Sequence, residues 1–178
     1  KYVEKYGNLV YYKSNTSSRN IAFSETKNGE YKYQNIKTCI LDGLQPKLEY
    51  NWSNKSCSYF NISKLILGHK MYGFPYFDII GDFGISKRDS YIFSGNDYSF
   101  EELIEIQAFL STKFALFIFG SCNYRMRYLE RYAFQFLPAI TKIGDFPKLT
   151  NVENRSARDK KLCEFFEFSV EERDIIEN

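Results

Sequence analysis

Residues 68–95 read GHKMYGFPYFDIIGDFGISKRDSYIFSG, and residues 99–120 read SFEELIEIQAFLSTKFALFIFG. The two stretches follow different periodicities. The first holds five glycines and Pro75 in 28 residues, a spacing that favours short strands joined by tight turns over a helix. Residues 77–80 and 91–93 read as strands. Gly81-Asp82-Phe83-Gly84 reads as a turn, and Ser86-Lys87-Arg88-Asp89 as a charged loop. The second stretch opens with the capping box Ser99-Phe100-Glu101-Glu102, in which the Ser oxygen accepts an early N–H and the Glu reaches back. Leu103, Ile106, Leu110, Phe114 and Phe117 then recur at spacings of three and four, as one apolar helix face requires. Gly120 is a fitting end. The switch from strands to helices predicts an α+β fold, with a strand-rich N-terminal half containing hairpins and a helical C-terminal half packed against it.

Outward from this centre the same signals continue. Upstream, residues 9–12 form a short apolar and aromatic run. Residues 21–26 and 31–36 flank Asn28-Gly29, a hairpin signal because both residues tolerate positive φ. Residues 48–52 and 59–62 read as another pair around Asn54-Lys55-Ser56, and residues 64–67 as a buried strand. Downstream, a second helix is expected over 125–136, stopping before Pro138. A third is expected over 157–166. Ser169 with Glu172 forms another capping box, which opens a short acidic helix.

The chain has 178 residues, one domain's worth. Apolar residues make up 44% and charged residues 26%, which excludes a disordered or low-complexity chain. Residues 1–161 hold 23 Lys and Arg against 16 Asp and Glu, whereas residues 162–178 hold one Arg against six acids. The expected organisation is a basic domain over 1–161 with an acidic C-terminal helix over 162–178 belonging to it. A basic body fits a phosphate-rich partner or an ordinary mixed surface. No apolar run approaches the length of a membrane span, and no secretory leader is evident. Four cysteines without a CxxC pair, and a single histidine, make a Cys/His zinc site of ordinary spacing unexpected. Four reduced thiols in an intracellular protein are the expectation.

Several enzyme signatures are missing: there is no Walker A loop, GxGxxG or GxSxG. His69 reads as a hydrogen-bonded structural residue, with a general base as the alternative. Asp78 and Asp82, four apart with Lys87 nearby, fit either turn-forming residues or the carboxylate pair of a metal-dependent nuclease. Basic and aromatic positions give the DNA-binding candidates. Lys87 and Arg88 lie in a loop flanked by Ser86, Ser90 and Tyr91, which fits either a solvated turn or a DNA contact, with Arg bidentate to guanine and Lys or Ser to phosphate. Arg125, Arg127 and Arg131 stand near the start of the second expected helix with Tyr124 and Tyr128, and Arg127 and Arg131 share a face at i,i+4, either for DNA or paired with Glu130 or a core-edge acid. Lys113 extends the set. The aromatic residues Phe114, Phe117, Tyr128, Phe134 and Phe136 read as core.

Three segments, GFPYFDIIGDFGISKRDSYIF, FEELIEIQAFLSTKFALFIF and YRMRYLERYAFQFLPAITKI, carry a family resemblance. They resemble the C-terminal target-recognition domain of TaqI-like adenine-specific (N6) DNA methyltransferases over about residues 65–178. That class places a Gly-rich strand region before a helix resembling LNSKL, here Leu110-Ser111-Thr112-Lys113-Phe114, with Ser111-Thr112 where the pattern has Asn-Ser. A segment ending in an apolar residue and Pro follows, here Phe136-Leu137-Pro138.

The resemblance implies a division of labour. One domain holds S-adenosylmethionine and the NPPY-type loop that engages a flipped adenine, because the amine is inaccessible within the stack. The domain resembling this chain reads sequence and grips double-stranded DNA. The chain holds no NPPY or DPPY motif, so no cofactor and no catalysis are expected from it alone. S-adenosylmethionine is expected in a catalytic domain joined in cis or in trans, and Lys1 as first residue favours a fragment. The implied site comprises Ser86, Lys87, Arg88, Tyr91, Lys113, Tyr124, Arg125, Arg127 and Arg131. Restriction-modification is the implied setting, with no membrane partner. The alternatives are a protein-interaction module without DNA binding and the nuclease using Asp78 and Asp82.

Overall fold

The computed structural model of the chain describes residues 1–122 and 128–177. It is a mixed α+β fold with two four-stranded sheets and helices mostly in the C-terminal half. A short helix α1 (Tyr2–Tyr6) precedes eight strands: β1 (Tyr12–Lys13), β2 (Phe23–Ser24), β3 (Tyr33–Asp42), β4 (Gln45–Ser53), β5 (Lys64–Gly68), β6 (Tyr76–Asp78), β7 (Gly84–Ile85) and β8 (Ser90–Ser94). Helices α2 (Phe100–Phe109) and α3 (Lys113–Ser121), the 3-10 helices Arg131–Phe136 and Ile140–Lys142, and helices α4 (Arg155–Phe165) and α5 (Val170–Glu177) follow. One sheet has the order β1-β8-β5-β6 and the other β2-β4-β3-β7.

The core forms where β5 and β8 pair antiparallel, Leu65 opposite Phe93 and Ile66 opposite Ile92. Every residue of both strands is buried, which is why they read as continuous apolar runs without alternation. Leu103, Ile106, Phe109 and Leu110 of the α2 segment close over them, all fully buried. Each such side chain contributes about 1.5–3 kcal/mol on burial. The two sheets meet closely at Gly68, where a Cβ would lie 2.0 Å from the Cys39 carbonyl oxygen of β3. Only a residue without a side chain permits that approach.

Several expectations are corrected by long-range pairing. Asn28-Gly29 does not join a hairpin. The Asn28 Oδ1 accepts the N–H groups of Glu30 and Tyr31, both at 2.9 Å, so the turn closes on itself in the Asx manner. The strand before it, β2, pairs with β4 instead. The true hairpin is β3–β4, with Asp42 opposite Gln45 and Gly43-Leu44 as its two-residue loop. Residues 59–62 are not a strand, since Tyr59 and Asn61 adopt φ of 64° and 59°. Gly84, expected in a turn, joins Ile85 in a strand parallel to β3.

The expected long helix from Ser99 breaks in two. The Ser111 hydroxyl donates to the Gln107 carbonyl and the Thr112 hydroxyl to the Phe109 carbonyl, back-bonds that compete with helix continuation. Thr112 then accepts the Ala115 N–H and caps α3. The two axes diverge by 66°. The capping boxes at Ser99 and Ser169 form as expected. The expected helix over 125–136 is a 3-10 helix from Arg131 to Phe136, while residues 123–127 lie outside the described residues. Its last carbonyls accept from the Asn8 side-chain amide, which reaches Phe134, Gln135 and Leu137. Of the expected aromatic core residues only Phe134 is fully buried; Phe117, Tyr128 and Phe136 are exposed and Phe114 is half-buried. The change of charge at 161/162 falls inside α4 and marks no structural boundary. No single helix among the described residues is long and apolar enough to cross a membrane.

Candidate phosphate-binding cleft

The ends of three elements converge on a cavity of about 520 Å³ beside the β3–β5 contact. Strand β1 supplies Lys13, the segment after β5 supplies His69 and Lys70, and the loop before β8 supplies Arg88 and Asp89. Backbone bonds lock these pieces together. The His69 N–H donates to the Asp89 carbonyl at 2.9 Å, and the His69 carbonyl accepts from Leu129 N–H at 2.7 Å. The Ser14 N–H donates to the Ser90 carbonyl, and the Ser14 hydroxyl accepts the Ser90 N–H. The cationic side chains therefore hang from a tied backbone, although the loop residues 87–89 are themselves exposed.

The cavity is net positive. Lys13, Lys70 and Arg88 line it against one carboxylate, Asp89. Among the described residues none of the three cations enters an ion pair. Lys13 Nζ lies 5.9 Å from the Tyr91 ring centroid and Lys70 Nζ 6.0 Å from that of Tyr128, contacts that leave the ammonium donors open to a ligand. Burial, followed by the nearby Lys13 charge, pushes the His69 pKa below its ordinary value, with Asp89 and Glu130 opposing. The ring is therefore neutral at pH 7, and its Nε2 is buried without a partner among the described residues. Burial pushes the Cys39 thiol up to about 12, so the cysteine that lines this cavity stays protonated and is no nucleophile. The three cations and the exposed Tyr128 ring suit a phosphate with an attached flat or polar group.

The expected DNA-contacting residues separate. Arg88 lines the cavity and Lys87 is exposed beside it. Ser86 is buried, its hydroxyl donating to the Ile36 carbonyl at 3.3 Å. Tyr91 is only 1% exposed. Its hydroxyl donates to the Leu129 carbonyl at 3.0 Å, and its ring packs on Tyr11, Phe134 and His69. Neither presents its side chain to solvent: Ser86 follows β7 and is bonded to Ile36 of β3, while Tyr91 lies in β8, every residue of which is buried. Arg131 lies exposed on a different cavity with Glu130 and Asn8. Lys113 opens α3, its N–H bonded to Asp159 of α4, and does not line the basic cavity. Tyr124, Arg125 and Arg127 lie outside the described residues.

Asp78 is committed to the interior. One oxygen accepts from Asp82 N–H, and the other accepts from Phe83 N–H and the buried Lys64 ammonium. The carboxylate is 2% exposed while Asp82 is exposed, so the pair does not face one metal position. Lys13 and Lys70 were not singled out from sequence. Their signal is tertiary: Lys13 reaches the cavity because β1 pairs with β8, opposite Tyr91. Comparison with family models, with curated proteins and with solved structures finds no match to this chain.

Proposed function

We propose that this chain is the target-recognition part of an N6-adenine DNA methyltransferase and grips duplex DNA through the basic cleft. The convergence of Lys13, Lys70 and Arg88, none in an ion pair among the described residues, on one cavity carries the DNA-binding half of this reading. Cations on a tied backbone meet phosphate oxygens without first giving up an internal partner. Lys87, exposed in the same loop, extends the positive edge toward the duplex. The methyltransferase half rests on the resemblance of residues 65–178. S-adenosylmethionine and the adenine pocket then belong to a catalytic part in cis or in trans, and recognition here positions the base that the partner extracts.

Fluorescence-anisotropy titration with random-sequence duplex DNA at two salt concentrations tests it. The expected result is about micromolar or tighter affinity at low salt, falling steeply as salt rises. Charge reversal of Lys70 and Arg88 together should weaken binding and shallow the salt slope by about two. Absence of binding at low salt, or affinity and slope unchanged in the double variant, would overturn the assignment of this cleft.

A further inference from the structure

A second cavity of about 390 Å³ lies between the tip of the β3–β4 hairpin, the loop before β6, and helices α2 and α4. Its lining includes Arg155 and Arg158, three residues apart on α4, and no Asp or Glu. The Nε atoms of both arginines are buried and have no hydrogen-bond partner among the described residues. Neither guanidinium enters an ion pair among the described residues. The Arg155 guanidinium stands over the Phe74 ring, 5.1 Å from its centroid, which holds its plane while leaving its N–H edge unused.

Several other polar groups around the cavity are already engaged. The Gln107 amide donates to the Pro75 carbonyl at 3.0 Å, and the Ser111 hydroxyl to the Gln107 carbonyl at 2.7 Å. The Thr150 hydroxyl donates to Glu105, whose other oxygen accepts Leu149 N–H at 2.9 Å. Asp159, on the same helix, accepts from Lys113 N–H at 2.6 Å. Among the described residues, the buried polar atoms of the lining that have no partner are the two arginine Nε–H donors, and a buried donor without an acceptor is costly enough that native structures rarely leave one so. The missing counterpart is an oxyanion. Two guanidiniums with an aromatic face match the several oxygens and the geometry of a phosphate better than a single carboxylate.

We propose that Arg155 and Arg158 form a phosphate-binding site, filled either by a phosphodiester of a nucleic-acid backbone or by soluble phosphate. It stands apart from the cleft of Lys13, Lys70 and Arg88 and shares no residue with it.

Arginine Nε–H signals of the 15N-labelled chain report on it directly. Inorganic phosphate added at constant ionic strength should shift the Arg155 and Arg158 signals saturably, with chloride as control. Arg155→Lys and Arg158→Lys assign the signals and should each weaken phosphate binding about tenfold, because lysine keeps the charge and loses the fork. An unchanged backbone amide fingerprint shows that each variant folds. A short duplex DNA in a second arm separates the sources. Shifts of the same two signals, reversed by phosphate, assign a backbone phosphodiester; phosphate shifts without duplex shifts assign soluble phosphate. Repeating the phosphate titration in the Lys70 and Arg88 double reversal keeps this site separate from the cleft, since the shifts should persist there. A linear drift equal to the chloride control would overturn the site.

Discussion

The Lys64 ammonium and the Asp78 carboxylate form an ion pair in the interior, with side chains 0% and 2% exposed. They lie opposite each other across β5 and β6. Lys64 also donates to the Ile62 carbonyl at 3.0 Å, and Asp78 holds the N–H groups of Asp82 and Phe83. Two desolvated charges are thus balanced by each other and by backbone, which ties the turn after β6 to the start of β5. Removing one partner leaves the other charged and buried. Lys64→Met should cost about 3–5 kcal/mol, read as a lower urea midpoint at unchanged m-value. A loss below about 1 kcal/mol would mean that water reaches Asp78.

His69 makes stability pH-dependent. Its folded pKa is lowered by burial, so below about 6.5 the unfolded chain binds a proton that the folded chain resists. Stability is therefore full above that value and falls as the pH drops from it toward the folded pKa. His69→Gln should flatten this part of the stability profile, measured by denaturant titration across that range. An equally steep profile in the variant would assign the dependence to other groups.

Gly68→Ala places a methyl group where the Cys39 carbonyl oxygen stands 2.0 Å away. Strand β5 or β3 must move, and the overpacking should cost about 3 kcal/mol. A variant with wild-type thermal midpoint would show that the sheets separate easily.

Thr112→Val removes the cap of α3 and the back-bond to Phe109 while keeping the side-chain volume. The expected loss is about 1–2 kcal/mol in chemical denaturation. Amide hydrogen exchange should rise first at Ala115, whose N–H loses the Thr112 hydroxyl as its acceptor, while the Lys113 N–H keeps its bond to Asp159.

Lys13→Ala and Lys70→Ala should each lower the logarithmic salt slope of DNA binding by about one. Lys160→Ala, whose side chain is exposed on α4 beside Glu164, should leave it unchanged. Equal effects from all three would mean diffuse attraction in place of a defined cleft.

Local chemistry made part of the fold legible. Capping boxes at Ser99 and Ser169 and the apolar runs of β5 and β8 involve neighbours within a few residues, so their residue types suffice to read them. Asn28-Gly29 has the residue types of a hairpin loop, but its Asn side chain closes a local turn, and the loop that joins two strands is Gly43-Leu44. Arg88 and Lys87 were legible as exposed loop residues because Ser, Lys, Arg and Asp seldom stand together inside a core.

The sequence by itself determined the order of strands before helices, the two capped helix starts and the basic character of the first 161 residues. Those follow from short-range hydrogen bonding and from composition. Only the tertiary structure decided that β1 lies beside β8, that Ser86 and Tyr91 turn inward, and that Lys13, Lys70 and Arg88 share one cavity while Arg155 and Arg158 share another. The physical reason is that strand partners and cavity walls come from residues far apart in the chain. Which of them meet is set by how the whole apolar surface is buried at once.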